Sequence, residues 1–312
     1  MIKRREKKIL KKRKKIKILF ITFFLYLIII FSYYYKLTRY PNDIFFPHKV
    51  FIESHRGVNR EIFQNTLEAF KRAIKYKIDS IETDVWLTKD KELVLIHGRG
   101  RKGKIKGYYN HGGNVIDLTW KRLSFYRTIR DNLTFPRLRE LMKLAKNKIF
   151  INLEIKDPRI DLVFPHIIKL IEEFDFFQQI SLSSFNLLYY DKIQEYNKRN
   201  NKNLVFGNIY SKGYKGEYNY SRKGSSLNLY WTNATKEVCY KAHKNGMAVL
   251  AWFYMNDTEN NDVYKKLIEN GVDVICCNEP LLAKNYRDNY YLNNKINKFF
   301  FSKNLYKIYK YN

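Results

Sequence analysis

The chain has 312 residues, of which 45% are hydrophobic and 17% aromatic, and this length suits a single α/β barrel of roughly 250 residues. Lysine and arginine total 59 against 30 acidic residues, so a formal charge of +29 suggests anionic partners: a phosphorylated substrate, an anionic membrane surface or nucleic acid. Three cysteines, Cys239, Cys276 and Cys277, exclude a disulfide framework and lack zinc spacing.

The first 35 residues predict a membrane signal-anchor. Residues 1–17 are densely basic, and residues 18–35 (ILFITFFLYLIIIFSYYY) carry no charge. As a helix this run spans roughly 27 Å, about the thickness of a hydrocarbon core. It is long for a signal peptide and no small-residue cleavage site follows, which favours a transmembrane anchor over a cleaved signal or a buried soluble helix. The basic flank predicts a cytoplasmic N-terminus and places the rest of the chain on the lumenal or extracellular side.

After a linker over 36–49, a domain over 50–286 alternates strands with helices. Strands are predicted to begin near Val50, Ser80, Phe150, Gln179, Asn203, Leu227, Met247 and Val272. Helices are predicted over Thr66–Lys75, Asp161–Phe174, Leu187–Arg199, Lys236–Lys244 and Asn260–Asn270. Eight strands with helical crossovers predict a (β/α)8 TIM barrel, with a doubly wound open sheet as the alternative.

Three further segments depart from this alternation. The Asp90-Lys91 turn between TDVWLT and ELVLIHG predicts a small hairpin extension after the second strand. The basic loop 98–107 suits a nucleic-acid arm, a solvated loop, or a rim loop that attracts anionic substrate or lipid headgroups, and nucleic acid is the least favoured partner. The basic aromatic tail over 287–312 is expected to lie on the membrane or to be disordered.

Acidic side chains collect at the ends of the predicted strands. Glu82 and Asp84 lie two residues apart on one strand and therefore face the same side. Two carboxylates pointing into a barrel repel each other and are costly to desolvate, and a divalent cation such as Mg²⁺ or Ca²⁺ relieves both costs. Glu154 on the next long strand can supply a third oxygen ligand, and Lys156 a phosphate-binding ammonium.

Two histidines end strands on the same predicted rim. His55 closes the first strand beside Arg56, and His97 closes the hairpin strand. Hydrolysis of a phosphodiester needs one group to activate the nucleophile and another to protonate the leaving oxygen, and imidazole suits both near neutral pH. We expect His55 to be the base and His97 the acid, although spacing alone leaves the two roles exchangeable.

The ordered blocks SHRG, QNTLEAFKRAI and IETDVWLTKDKELVLIHG resemble the glycerophosphodiester phosphodiesterase family, as do FPRLRELM, NLEIK, SLSSF, AHKNGMAVLAWFYMN and VDVICCNEP. The resemblance covers roughly residues 50–285 and implies a (β/α)8 barrel that hydrolyses glycerophosphodiesters with a divalent cation. It implies catalytic roles for His55 and His97, and metal ligation by Glu82, Asp84 and Glu154. It further implies substrate-binding roles for Arg56, Lys156 and Trp252, with Gln64 and Asn65 in support.

The chain departs from the family pattern at two positions. Gln64 stands where the family usually has Glu, and Gly98 where it usually has Asp after the second histidine. Both changes are expected to affect the tuning of the active site or the fit of the substrate. Three functions therefore stay open: a membrane-anchored glycerophosphodiesterase, lysophospholipase D-type hydrolysis of lysophospholipids at the membrane, and a non-catalytic binding barrel.

Overall fold

Parallel strands form a closed cylinder in the computed structural model of the chain, which describes residues 22–27, 49–105, 107 and 109–301, the last eight without their side chains. The strands are β1 (Phe51–His55), β2 (Ser80–Leu87), β3 (Leu93–Leu95), β4 (Lys104–Ile105), β5 (Gly113–Asn114), β6 (Phe150–Ile155), β7 (Ile180–Ser184), β8 (Val205–Ile209), β9 (Ser226–Tyr230), β10 (Ala248–Trp252) and β11 (Val274–Cys277). Eight of them pair in parallel in the order β1-β2-β6-β7-β8-β9-β10-β11, and β11 pairs with β1. The predicted barrel is thereby confirmed, and the open sheet is excluded.

Helices connect these strands along the outside of the barrel. They are α1 (Leu67–Lys75), α2 (Trp120–Leu123), α3 (Leu138–Ala145), α4 (Ile160–Glu173), α5 (Leu188–Asn200), α6 (Lys236–Lys244), α7 (Asn261–Asn270) and α8 (Pro280–Phe301). Polar side chains fix where several begin: Thr66, Thr235 and Asn260 each accept a hydrogen bond from a backbone N–H in the first turn. Gly271 ends α7 in the left-handed conformation with φ +87°.

The strands bury apolar side chains outward and polar ones inward. Ile52, Ile81, Leu153 and Leu182 face the helices and are at most 1% exposed, and burial of such a side chain stabilises the fold by about 1.5–3 kcal/mol. The inward positions carry Glu53, Ser80, Asn152, Ser183 and Asn228, which are also buried. Hydrogen bonds compensate for this polar interior: Glu53 accepts from Ser80 and Asn152, and Ser183 donates to Asn152.

A second apolar cluster lies over one side of the rim. Strand β3 pairs antiparallel with the end of β2, which confirms the predicted hairpin. The chain between β3 and α3 then folds over this hairpin, and its buried residues Ile105, Tyr109, Val115 and Phe135 pack with Trp86 of β2. This excursion, residues 98–137, includes the basic loop 98–107 and is anchored by its own apolar core.

The last helix extends beyond the predicted end of the barrel at 286. Arg287 is 4% exposed; its guanidinium donates to the backbone oxygen of Val50 at 2.9 Å and also pairs with Asp79. The hydroxyl of Tyr291 accepts from the backbone N–H of Val50. The first half of the predicted tail is therefore helical and attached to β1, while residues 302–312 lie outside the described residues.

The N-terminal segment forms a separate unit, Met1–Ile44. Most of the predicted signal-anchor and linker lies outside the described residues; residues 22–27 are helical with exposed side chains. Across the described part of the chain, the structure contains no helix with the length and hydropathy needed to span a bilayer.

Candidate active site

Three carboxylates meet where β2 and β6 end. The strand register sets Asp84 directly beside Glu154, and Glu82, two residues earlier on β2, faces the same side. One oxygen from each of the three lies within 4.8 Å of the others, and all three side chains are buried. The predicted convergence of Glu82, Asp84 and Glu154 is confirmed.

These carboxylates fit a hard divalent cation. Within the described residues, Glu82 Oε1 and Asp84 Oδ1 are buried and accept no hydrogen bond, an arrangement that is costly without a positive partner. Burial raises the pKa of Glu82 well above its usual range, and the neighbouring charges of Asp84 and Glu154 add to the shift. Because the donors are all oxygens, Mg²⁺ or Ca²⁺ suits the cluster better than zinc.

Arg56 is locked against the cluster by an unusual backbone conformation. Its φ is +60°, and its backbone N–H donates to Oε2 of Glu82 at 3.0 Å. The guanidinium Nε lies 3.0 Å from Asp84 Oδ2, and one terminal nitrogen donates to Gln64 Oε1 at 2.7 Å. Burial tends to raise the pKa of Asp84, but the charges of Arg56 and Lys156, together with His97 and the hydrogen bond from Asn65, outweigh it and hold that pKa below the usual range.

Asn65 supports Asp84 from the loop before α1. Its φ of +54° turns the side chain inward, where the amide donates to Asp84 Oδ2 at 2.9 Å. Its carbonyl oxygen accepts from the hydroxyl of Thr83 at 2.7 Å. Gln64, next to it, touches only Arg56 among these groups, which places it in contact with the guanidinium and not with the carboxylates.

His55 is held by a residue of the last strand's end. Its Nδ1 lies 2.9 Å from Oδ1 of Asn278, whose amide nitrogen donates to Glu259 and to the backbone oxygen of Tyr254. This network makes Asn278 Oδ1 an acceptor, so Nδ1 of His55 carries the proton and Nε2 is unprotonated. Nε2 lies 3.9 Å from Glu82 Oε2. Burial, helped by Arg56, lowers the pKa of His55 to about 3, which keeps the ring neutral.

His97 reaches the same centre through the hairpin. The backbone N–H of Ile96 donates to the backbone oxygen of Asp84, which returns the chain from β3 to the carboxylates. Burial lowers the pKa of His97 to about 3, although the charge of Asp84 opposes the shift. In the described structure no hydrogen bond holds its ring.

A cavity of about 840 Å³ opens over these groups. Lys156 lines it, donates to Glu154 Oε1 at 2.8 Å and lies 3.7 Å from Asp84 Oδ1. Burial opposes the charge of this ammonium, but Glu154 and Asp84 prevail and raise its pKa. Trp252 forms part of the opposite wall, with its ring in edge contact with Phe185 and Tyr254.

The structure explains why glycine follows His97. Gly98 has φ +46°, and a Cβ built there would lie 2.7 Å from Nε1 of Trp86 and 2.9 Å from the Cα of Gly103. Any side chain would therefore collide with the indole that supports the excursion. An aspartate has no room at this position.

Sequence reasoning missed Asn278, Asn59 and Glu259. The amide nitrogen of Asn59 donates to Asn278 Oδ1 at 2.9 Å and to the backbone oxygen of His55 at 2.6 Å. Asn278 follows β11 directly, so the strand-end position that singled out His55 applied to it as well. Glu259 carried no such signal because it lies in a loop before α7.

Comparison with known proteins identifies the family. The sequence pattern of the glycerophosphoryl diester phosphodiesterase family matches residues 55–282. This chain belongs to that family. A glycerophosphodiester phosphodiesterase from Caldanaerobacter subterraneus subsp. tengcongensis is 29% identical over 252 residues, which cover 74% of this chain and 95% of the relative. The family is one of phosphoric diester hydrolases, and this member is an enzyme of that class.

Solved structures share the fold. A glycerophosphodiester phosphodiesterase from Parabacteroides distasonis superimposes with a TM-score of 0.64 at 19% identity, covering 78% of this chain and 98% of that one. A phosphodiesterase from Oleispira antarctica in complex with the product sn-glycerol-3-phosphate gives a TM-score of 0.64 at 18% identity and covers 77% and 97%. A human lysophospholipase D is 32% identical over a shorter region, 116 residues, which is 33% of this chain and 35% of that protein.

Proposed function

We propose that this family member hydrolyses glycerophosphodiesters to glycerol phosphate and an alcohol, using a divalent cation and the two histidines. The observation that carries the proposal is a cluster of three carboxylates at the barrel rim, two of which line one cavity together with two imidazoles and two basic side chains. Glu82, Asp84 and Glu154 hold the cation, which supplies positive charge to the phosphate when bound.

The chain's own residues perform binding and proton transfer. Arg56 and Lys156 bind the non-bridging oxygens of the phosphodiester. His55 accepts a proton at Nε2 from the attacking hydroxyl, either water or the glycerol's neighbouring hydroxyl, as the new P–O bond forms. Attack by water gives glycerol phosphate directly, whereas attack by the glycerol hydroxyl gives a cyclic phosphate, which a water molecule then opens to glycerol phosphate. His97 donates a proton to the alcohol oxygen as the old P–O bond breaks. An anionic phosphodiester beside His97 raises the pKa of its ring, which is what a general acid needs.

Variants of the two histidines test the proposal. Each of His55→Ala and His97→Ala is expected to lose at least about a hundredfold in kcat while melting near the parent temperature, because general acid–base catalysis contributes about 10²–10⁴. A substrate with a good leaving group needs little acid assistance and should rescue the variant that lacks the acid. Near-normal turnover by both variants, or parent turnover that EDTA leaves unchanged, would disprove the mechanism.

Hydrolysis of lysophospholipids is a second candidate function. The cavity mouth carries the aromatic side chains of Phe185 and Tyr254, which are 46% and 47% exposed and could receive an acyl chain beside Trp252. The partial similarity to the human lysophospholipase D points the same way. Measuring the turnover rates of lysophospholipids and of glycerophosphodiesters in parallel shows which of the two candidate functions is preferred. The non-catalytic alternative is disfavoured by the complete carboxylate cluster.

We also propose that residues 18–35 anchor the protein in a membrane and that the barrel lies on the lumenal or extracellular side. The support is the uncharged run and its basic flank, as read from the sequence. Protease added to sealed microsomes should leave the barrel intact. Rapid digestion of the barrel there would reverse the orientation, and full extraction by carbonate would exclude the anchor.

A further inference from the structure

Exposed apolar side chains are unevenly distributed over the barrel. Among its described residues, eleven large apolar side chains are exposed, and nine of them lie on the rim that carries the active site. Four of these nine are leucines in the first turns of α4, α5 and α8. The other five follow strands: Phe125, Ile129, Phe185, Tyr214 and Tyr254.

The opposite end of the barrel differs. Its loops, which lead from helices into strands, expose no large apolar side chain in the described part of the chain. The remaining two exposed apolar side chains, Tyr240 and Leu292, lie within α6 and α8 on the outer wall of the barrel. Single exposed apolar residues are ordinary on soluble proteins, but a concentration at one end is typical of a surface that meets another apolar phase.

The most exposed of the rim side chains lie in the most basic part of the barrel. Phe125 is 68% exposed and Ile129 is 66% exposed, both on the excursion. Residues 98–137 contain ten lysines and arginines against two aspartates. Apolar tips among basic side chains suit the interface of a bilayer that contains anionic lipids, where the tips enter the acyl boundary and the cations meet lipid phosphates.

We propose that the catalytic rim docks on an anionic bilayer, with Phe125 and Ile129 inserted and the basic residues of the excursion against the headgroups. Docking in this orientation turns the cavity mouth toward the lipid. The proposal requires neither the anchor at 18–35 nor the proposed reaction, because it depends only on the surface of the barrel.

Vesicle binding by residues 45–312 tests the docking. This unit is suitable because residues 45–312 form one compact unit with its own hydrophobic core, and the family pattern at 55–282 lies wholly within it. The parent unit should sediment with vesicles of phosphatidylcholine mixed with phosphatidylglycerol but not with phosphatidylcholine alone, and added salt should weaken binding. The double variant Phe125→Ser/Ile129→Ser should bind at least about tenfold more weakly.

A matched variant separates docking from general loss of apolar surface. Tyr240→Ser/Leu292→Ser removes two large apolar side chains, 52% and 56% exposed, from the outer wall and should bind vesicles as the parent does. Absence of binding, equal binding to neutral vesicles, or equal loss in both double variants would overturn the proposal. Both double variants should turn over a water-soluble glycerophosphodiester without vesicles at the rate of the parent. If the parent shows no such turnover, the proposed function is contradicted, but the docking result still holds.

Discussion

Glu82→Gln should stabilise the metal-free protein and abolish its stabilisation by cation. The three carboxylates lie within 4.8 Å of one another, and two unit charges at that distance repel by about 3 kcal/mol at the effective dielectric constant of protein sites. At a pH where all three carboxylates are ionised, the amide removes two such repulsions and loses part of the attraction to Arg56. We expect a net gain of about 1–3 kcal/mol, or roughly 2–12 °C in Tm for a barrel of this size.

Cation binding should stabilise the parent and leave the variant almost unchanged. A ligand at a hundred times its Kd stabilises the parent by about 2.7 kcal/mol, which raises Tm by roughly 5–11 °C. The variant has lost one of three charged ligands and should show little shift. Calorimetry with EDTA, then with Mg²⁺ and Ca²⁺, measures both effects.

The pH dependence gives an independent check. Because burial and the neighbouring carboxylates raise the pKa of Glu82 in the folded state, the proton it binds contributes stability below the unfolded pKa. That contribution disappears as pH rises through the folded pKa. Without cation, the parent should therefore lose stability as the pH rises above about 4 and the Gln variant should lose less.

Glu53→Gln is the matched control. Glu53 also points into the barrel and is buried, but Ser80 and Asn152 satisfy both of its oxygens. This variant should lose stability and keep the cation-dependent rise in Tm. If Glu82→Gln keeps the full rise, or if the parent has none, the assignment of a cation to the cluster is wrong.

Three further predictions concern single side chains. Asn278→Leu removes the acceptor that fixes the His55 tautomer and should lower kcat about a hundredfold in steady-state assays; unchanged kcat would exclude this role. Gly98→Asp should lower stability by about 1–3 kcal/mol because of its contact with Trp86 and its positive φ, as measured by urea unfolding, and a variant as stable as the parent would contradict the steric argument. Arg287→Met should cost about 3–5 kcal/mol in the same measurement, because Asp79 and the Val50 carbonyl lose a buried partner; Asn289→Met, at an exposed position of α8, is the control.

Much of the barrel could be predicted from local pattern. Each parallel strand begins within two residues of its predicted start, and each of the five predicted helices appears within a few residues of its predicted bounds. The cluster of Glu82, Asp84 and Glu154 could be predicted because period-two alternation fixes which face a strand residue occupies. Predicting these features requires only the pattern of neighbouring residues and the rule that the active sites of barrel enzymes lie at strand ends.

The missing features depend on contacts distant in sequence. The excursion is anchored where Tyr109 and Phe135 pack on Trp86, and nothing local to any of these residues indicates that contact. The continuation of α8 past 286 depends on the buried ion pair of Arg287 with Asp79, 208 residues away. Asn278 can be identified as the partner of His55 only when the pairing of β11 with β1 is known.

The closure of β11 on β1 also determines at which point of its synthesis the enzyme can become active. The imidazole of His55 is oriented by a residue 223 positions later in the chain, and Arg287 attaches β1 still later. A nascent chain that has left the ribosome as far as the end of β6 already carries the three clustered carboxylates and both histidines. It still lacks the contact that sets the tautomer of His55. On the proposed mechanism the chain must therefore leave the ribosome past Asn278 before hydrolysis begins, and fragments that end before Asn278 lack the contact that orients His55.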